Sequence, residues 1–156
     1  MDMDLSLKTF DLQMLMAVNE LRECNELVAR FGLTLSETQI QSLVERRFDA
    51  LRDTGRIEFG EGILKKLIFS FCDSPYLTQE NFEETIVELQ DSFYYFKNES
   101  MDRLSDDELI DFMSIVFNGR AQGSLDYLSG TSLEELCRYA RQGWNPVRDM
   151  DSGDLF

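Results

Sequence analysis

The sequence of 156 residues contains no histidine. Histidine-dependent chemistry is therefore excluded from this chain alone: Ser-His-Asp and Cys-His catalysis, histidine-ligated zinc or haem, and an imidazole general base. Its three cysteines, Cys24, Cys72 and Cys137, lie about 50 and 65 residues apart, without the close spacing of a disulfide framework or thiolate metal site. We expect them to be buried, reduced core residues.

Long apolar runs are also missing from the sequence. The longest are short stretches such as residues 67–69, whereas a membrane span needs about 20 apolar residues. The first ten residues, MDMDLSLKTF, are acidic and lack the long apolar segment of a signal peptide. These features predict a soluble cytoplasmic protein with no membrane contact.

Basic residues are scarce, with 15 Lys and Arg against 30 Asp and Glu, so the formal net charge is -15. This balance argues against nucleic-acid binding, because such proteins neutralise phosphates with a basic face. Hydrophobic residues nevertheless make up 43% of the chain and include 12 phenylalanines. That content is enough to fill a core, so we expect a folded chain rather than a disordered one.

The hydrophobic period is helical nearly everywhere. Ser36 with Gln39 and Ser105 with Glu108 form predicted capping boxes, and Thr78 and Thr131 are further predicted caps. We predict an all-α fold: a compact bundle of six to seven short helices in a single domain over residues 1–143. Residues 144–156 are predicted to form a partly disordered C-terminal tail. The apolar stripes cover residues 14–31, 40–51, 63–71, 82–96, 109–117 and 133–140, with a brief further segment near 121–128.

Several strings in the sequence are distinctive. Together they resemble an uncharacterised bacterial domain-of-unknown-function family with no established activity, over roughly residues 31–140. The resemblance implies a single domain in a bacterial cytoplasm and supplies no catalytic residue. The strings are LTLSE (33–37), TGRIEFGEGI (54–63), FCDSPYLTQEN (71–81), FYYFKN (93–98), DRLSDDELIDFM (102–113) and FNGRAQGSL (117–125).

Acidic residues concentrate between residues 80 and 111, where 11 acids stand against Lys97 and Arg103. Glu84, Glu88 and Asp91 lie on one face of the predicted fourth helix. Such a surface attracts a cationic partner and repels nucleic acid. The alternative interpretation is an ordinary solvated face that keeps the protein soluble.

The stretch from residue 136 to 148 has a positive net charge, in contrast to the acidic segment, because it contains three arginines and no acid. Arg138, Tyr139, Arg141 and Trp144 form an aromatic-basic group of the kind that anchors interfaces. The complementary acidic segment suggests self-association or docking within the chain. Alternatively, Trp144 folds back to cover the core.

Four consecutive aromatic residues, 93–96, extend around most of a helix circumference. Phe93 and Phe96 belong to the buried stripe, so Tyr94 or Tyr95 is expected to reach a second layer, a groove or a partner.

These patterns predict a non-catalytic protein–protein interaction or accessory protein with an acidic helical surface. Its partner is expected to be another protein or a second copy of itself. No catalytic, cofactor-binding or metal-binding residue is predicted, and no cofactor, although catalysis by carboxylates, tyrosines and arginines stays open. Two alternatives also stay open: a carboxylate-based metal or small-ligand-binding helical protein, and an acidic nucleic-acid mimic. The residues predicted to take part in interactions are Trp144, Arg138, Arg141, Tyr139, Glu84, Glu88 and Asp91.

Overall fold

The apolar stripes of the sequence become helices in the computed structural model. It describes the backbone of residues 2–58 and 62–149 and the side chains of residues 12–58 and 62–147. The fold is all-α, as the sequence predicts, and six helices in these ranges have nine or more residues. The elements are α1 (Asp2–Val28), α2 (Glu37–Thr54), α3 (Ile63–Phe71), α4 (Phe82–Glu99), α5 (Asp106–Asn118), α6 (Leu125–Tyr127), α7 (Leu133–Arg141) and α8 (Pro146–Asp149).

Side-chain caps fix the starts of two of the long helices. The Ser36 hydroxyl accepts a hydrogen bond from the Gln39 amide, and the Gln39 side chain accepts one from the Ser36 amide. Ser105 and Glu108 repeat this arrangement at the start of α5. Both predicted capping boxes are confirmed, and each satisfies two backbone donors that the helix leaves unpaired.

Two other predicted caps are wrong. α4 begins after Asn81 rather than Thr78, because the Asn81 side chain accepts a hydrogen bond from the Thr78 amide and closes a turn before the helix. α7 has no cap at Thr131, because the chain enters it directly from a π-helix over Leu128–Ser132. A helix that continues from another needs no capping side chain.

The four helices α1, α2, α4 and α3 contact one another in a closed ring. α5 packs on α3 and α4, and α7 packs on α4, so α4 is the central helix. One continuous core joins these elements. Phe71 and Phe117 meet edge to face within it, with ring centroids 5.4 Å apart. Burial of such side chains supplies most of the stability of these helices, since their intrinsic propensity is marginal in water.

The C-terminal segment contains one more short helix. α8 lies inside the segment 144–156 that the sequence assigns to a tail, and Val147 packs against the core. Residues 150–156 lie outside the described residues. Among the helices whose residues are described, none has the length and apolarity that a bilayer crossing requires.

The Ser36 cap gives a test of the fold. We expect Ser36→Ala to lower the free energy of unfolding by about 1 kcal/mol, because the Gln39 backbone amide loses the hydroxyl that accepts its hydrogen bond. Thermal unfolding followed by circular dichroism should show a fall in Tm of about 3 °C. Thr38→Ala, at an exposed position two residues further on, is the matched control and should leave Tm nearly unchanged. Equal effects of the two substitutions would contradict the capping role.

Candidate functional site

A groove of about 500 Å³ lies between α1, α2 and the chain that follows α2. We call it the α1–α2 groove. It is within the size range of sites that hold ligands or partner side chains. Its wall combines apolar and charged groups: Met16, Ala17, Phe48 and Leu51 with Glu20, Glu23, Arg47 and Glu58.

The Glu58 carboxylate at this groove joins three elements, and we call the set the Glu58 network. Its Oε1 accepts hydrogen bonds from Arg47 Nε at 2.9 Å and from the Tyr94 hydroxyl at 2.6 Å. Its Oε2 accepts from the backbone amide of Ile63 at 3.3 Å. The segment after α2 is therefore tied to α2, to α4 and to the first residue of α3.

Burial makes this network sensitive to change. The Arg47 and Glu58 side chains are only 8% and 15% exposed, and Tyr94 is fully buried. Burial, followed by the charge of Glu58, raises the pKa of Tyr94 well above its usual range. The tyrosine thus stays protonated and donates to the carboxylate. Removing one member would leave a buried charge short of a partner, which is costly.

Gly62 closes over the ion pair. A Cβ atom at this position would lie 2.5 Å from both Arg47 Nε and Glu58 Oε1. These atoms are held by their own hydrogen bonds and cannot withdraw freely. Glycine is therefore required here by close approach.

Of the Glu58 network, the sequence pattern predicts only Tyr94, as one of two tyrosines expected to reach a second layer, a groove or a partner, and it does not predict Arg47 or Glu58. Tyr94 reaches the Glu58 network, while Tyr95 is half exposed. A signal for Arg47 was present, because it follows Leu43 and Val44 by four and three residues and so continues the buried stripe of α2. A charged residue on an apolar face needs a buried partner.

Glu84 and Glu88 come together at a second groove, between α2 and α4. This groove of about 290 Å³ has Val87 in its wall and Ser42 and Arg46 opposite. We call it the acidic groove, lined by Ser42, Arg46, Glu83, Glu84, Val87 and Glu88. Asp91 joins it indirectly, since its carboxylate lies 3.8 Å from Arg46. Burial raises the pKa of Asp91, and Arg46 opposes this shift.

Cations of the same chain are distributed unevenly over the acidic segment. No described cation lies within ion-pair distance of Glu83, Glu84 or Glu88. Uncompensated negative charge therefore concentrates on the first half of α4, beside the acidic groove. Four acids further along the chain are paired: Glu99 with Arg141, Asp102 with Arg56, Asp106 with Lys97 and Asp107 with Lys66.

The predicted aromatic-basic group is assembled at the end of α7. Trp144 packs edge to face on Tyr139 with ring centroids 4.8 Å apart, and the Arg138 guanidinium lies 5.6 Å from the Tyr139 ring centroid. Arg141 instead turns to α4, where it donates to the Glu99 carbonyl at 2.9 Å. Trp144 keeps 37% of its surface exposed. One arginine is thus docked within the chain, and the indole remains partly accessible.

The three cysteines are buried and free. Burial raises the pKa of the Cys24 thiol to about 11 and that of the Cys137 thiol to about 12, so both are protonated at neutral pH. Within the described ranges, no three His, Cys, Asp or Glu residues gather in a way that could hold a metal ion.

The Tyr94 hydroxyl gives a test with a pH signature. We expect Tyr94→Phe to cost about 1.5 to 3 kcal/mol of unfolding free energy near neutral pH, since a hydrogen bond to a charged group is lost. Because the folded pKa is raised, the contribution of Tyr94 is complete below its unfolded pKa of about 10 and is lost as pH rises further. The difference between wild type and variant should therefore shrink above about pH 10.

Denaturant unfolding between neutral and alkaline pH measures both effects. Tyr95→Phe is the matched control, because its side chain is half exposed and makes no hydrogen bond to Glu58. If Tyr95→Phe destabilised the protein as much as Tyr94→Phe, the network would not be the cause.

The close approach at Gly62 gives a second test. We expect Gly62→Ala to lower the free energy of unfolding by about 1 to 3 kcal/mol, because the added methyl group must displace Arg47 or Glu58. Gly130→Ala is the control, since a Cβ there meets no atom within 4 Å. Urea unfolding of both variants decides the matter, and a Gly62→Ala protein as stable as Gly130→Ala would disprove the steric argument.

Comparison with known protein families matches the chain to a family of unknown function, DUF6323, whose model covers residues 20–146. No curated protein and no solved structure matches the chain. The matched range is more than four-fifths of the chain and contains the Glu58 network, the acidic groove and the aromatic-basic group. On this match, the chain belongs to the family of unknown function DUF6323.

Proposed function

We propose that this chain is a non-catalytic protein–protein interaction protein whose acidic groove binds a cationic segment of another protein. The observation that carries the proposal is the acidic groove itself. Glu83, Glu84 and Glu88 stand at a concave surface without a described cationic partner. Further along the acidic segment, Glu99, Asp102, Asp106 and Asp107 are paired with lysines and arginines of the same chain.

The shape of the groove indicates what kind of segment it takes. Val87 offers an apolar contact at the wall, and the glutamates at the rim offer charge. A lysine or arginine side chain has both properties, an apolar stem and a cationic end. The surrounding net charge of -15 adds attraction at longer range and raises the rate of encounter with a basic partner.

The proposal includes a bacterial cytoplasmic setting. Three free, buried thiols support it, because disulfides are rare in reducing compartments. Trp144 and Arg138 supply a second contact region of opposite sign at the end of α7. A partner that spans both regions would need an acidic or apolar group opposite Trp144 and a basic group opposite Glu84.

The double substitution Glu84→Gln with Glu88→Gln tests the proposal. Glutamine keeps the size and helix propensity of glutamate, so folding should be unaffected while two charges are removed. Proteins captured from the cells of origin by wild-type and variant chains are compared by quantitative mass spectrometry. We expect a partner rich in lysine and arginine whose affinity for the variant falls by about tenfold or more, which corresponds to about 1.4 kcal/mol.

The matched control is Asp111→Asn with Glu134→Gln, which removes two exposed acids away from the acidic groove. It should retain the partner. Binding by wild type should also weaken as salt rises, since the contact is between exposed charges. Capture that is equal for wild type, variant and control, or that does not respond to salt, would refute the acidic groove as the binding surface.

A further inference from the structure

The exposed residues of α4 follow one line along the helix. They lie at successive spacings of four, three, four and three residues: Glu84, Glu88, Asp91, Tyr95 and Asn98. Such spacings return to the same side of a helix, so these side chains share one face. Asn98 already bonds within the chain, to Arg56 and to the carbonyl of Thr54. We call the other four residues the outer face of α4.

A hollow adjoins each end of the outer face. The acidic groove, of about 290 Å³, opens beside Glu84 and Glu88 on the side of α2. A second hollow, of about 360 Å³, opens beside Asp91 and Tyr95 on the side of the π-helix. The α-carbons of Glu84 and Tyr95 are about 16 Å apart along the helix axis. We call the second hollow the Tyr95 hollow, lined by Asp91, Ser92, Tyr95, Phe96, Ser129 and Gly130.

The acidic end of the outer face carries uncompensated charge. Glu84 and Glu88 are exposed and stand at the acidic groove without a described cationic partner. Asp91, in the middle of the face, differs because the Arg46 guanidinium lies 3.8 Å from its carboxylate. Two negative charges at this end are therefore available to a cation from outside the chain, while the charge in the middle is partly neutralised.

The opposite end of the outer face is aromatic. Tyr95 keeps 50% of its surface exposed, and its ring packs edge to face on Phe96 with centroids 4.9 Å apart. A Cβ atom at Gly130 would meet no atom within 4 Å, so the hollow is open on the side of the π-helix. Of the described residues around it, only Asp91 is charged. An exposed aromatic ring beside such a hollow suits an apolar side chain of a partner.

We propose that the outer face of α4 docks an amphipathic helix of another protein. Two basic side chains of this helix lie opposite Glu84 and Glu88, and an apolar side chain enters the Tyr95 hollow. The proposal rests on the proposed function and specifies the form of the cationic segment that the acidic groove binds. Charge complementarity at one end and apolar contact at the other select the partner together.

A helix suits this surface better than an extended segment. The described ranges contain no strand, so they offer no sheet edge with which an extended segment could pair its backbone. A helix satisfies its own backbone hydrogen bonds. Its side chains recur at the same three- and four-residue spacings as the exposed residues of α4, so about three turns reach from Glu84 to Tyr95.

A second copy of the chain does not supply this helix. Its α7 carries Arg138 and Arg141, but Arg141 is held by Glu99 of its own chain. Trp144 follows Arg138 by six residues, which is about 9 Å at the rise of a helix and only about half of the length that the outer face requires. Each copy also carries a net charge of -15, so two copies repel each other.

Designed peptides provide the probe. Each is an alanine-rich helix of about 18 residues, longer than the length below which isolated helices are marginal in water. It carries two arginines four residues apart and a leucine seven residues beyond the second, which reproduces the spacing of Glu84, Glu88 and Tyr95. The reverse order is made as well, because the outer face sets the spacing and not the direction. The control peptide has the same composition, with the leucine on the opposite side of the helix.

Fluorescence anisotropy of the labelled peptides measures their binding to the full chain at low salt. We expect one order of the spaced peptide to bind about tenfold more tightly than the control peptide. Tyr95→Gln removes the ring at an exposed position and should weaken this binding about fivefold. Phe69→Gln, at an exposed aromatic position of α3 that lines neither hollow, is the matched control and should leave binding unchanged. Circular dichroism checks that both variants keep their helix content.

Replacing the leucine of the peptide by alanine tests the contact itself. The loss of affinity should be large with the wild-type chain and nearly absent with Tyr95→Gln, because both changes remove the same contact. This change lies in the peptide, so its effect on the wild-type chain does not depend on the stability of a variant. Additive effects of the two changes would overturn the assignment of the Tyr95 hollow.

The remaining outcomes separate this inference from the proposed function. If Glu84→Gln with Glu88→Gln weakens binding while Tyr95→Gln does not, the acidic groove stands and the docked helix is refuted. If only Tyr95→Gln weakens binding, the acidic groove is refuted as the binding surface and the inference falls with it. Equal binding of the spaced and control peptides, or no binding of either order up to about 1 mM, would overturn helical docking. Self-association of the chain that Tyr95→Gln abolishes, measured by sedimentation equilibrium, would assign the face to a second copy instead.

Discussion

The contact on which the rest of the structure depends is the hydrogen-bonded carboxylate of Glu58. It is the acceptor for Arg47 on α2, for Tyr94 on α4 and for the first amide of α3. The helices α1, α2, α4 and α3 close into a ring, and this carboxylate sets the position at which the chain passes from α2 to α3. A buried ion pair adds little net stability compared with an apolar pair, but it forms only when its charged groups are correctly placed and hydrogen-bonded. Its value here is that it fixes one arrangement of three helices.

That arrangement positions both grooves. The α1–α2 groove takes part of its wall from Arg47 and Glu58 themselves. The acidic groove lies between α2 and α4, the two helices that Arg47 and Tyr94 hold together through Glu58. A change in the network is therefore expected to move Arg46 relative to Glu84, although neither belongs to the network. A conservative substitution at the buried Tyr94 therefore also tests how the Glu58 network positions the acidic groove at the surface.

The helices could be predicted from the sequence because their apolar stripes and capping boxes are local patterns. Features that depend on tertiary contacts could not be predicted in this way. Ser36 and Ser105 act through partners three residues away, so their capping boxes can be read directly from the chain. Thr78 also precedes an apolar stripe and has the residue type of a cap. However, the Asn81 side chain accepts a hydrogen bond from the Thr78 amide, and the helix begins after Asn81. The Glu58 network joins residues 11 and 36 apart in sequence, and no local pattern encodes such pairings. The sequence predicts the excess of acidic residues between 80 and 111. It does not predict which of them are paired, because the ion pairs with Arg56, Lys97 and Arg141 depend on the tertiary fold.

The division of charge explains how one strongly acidic chain can carry two different kinds of interaction surface. Where lysines and arginines of the same chain reach the acidic segment, they reduce the field and hold elements together. At the acidic groove, no described lysine or arginine lies within ion-pair distance of Glu83, Glu84 or Glu88. Their negative charge therefore attracts a cationic partner, and this attraction weakens as salt rises. The aromatic-basic group lies in a stretch, residues 136–148, that carries three arginines and no acid. The acidic groove and the aromatic-basic group therefore attract partners of opposite charge, and this difference follows from their composition alone.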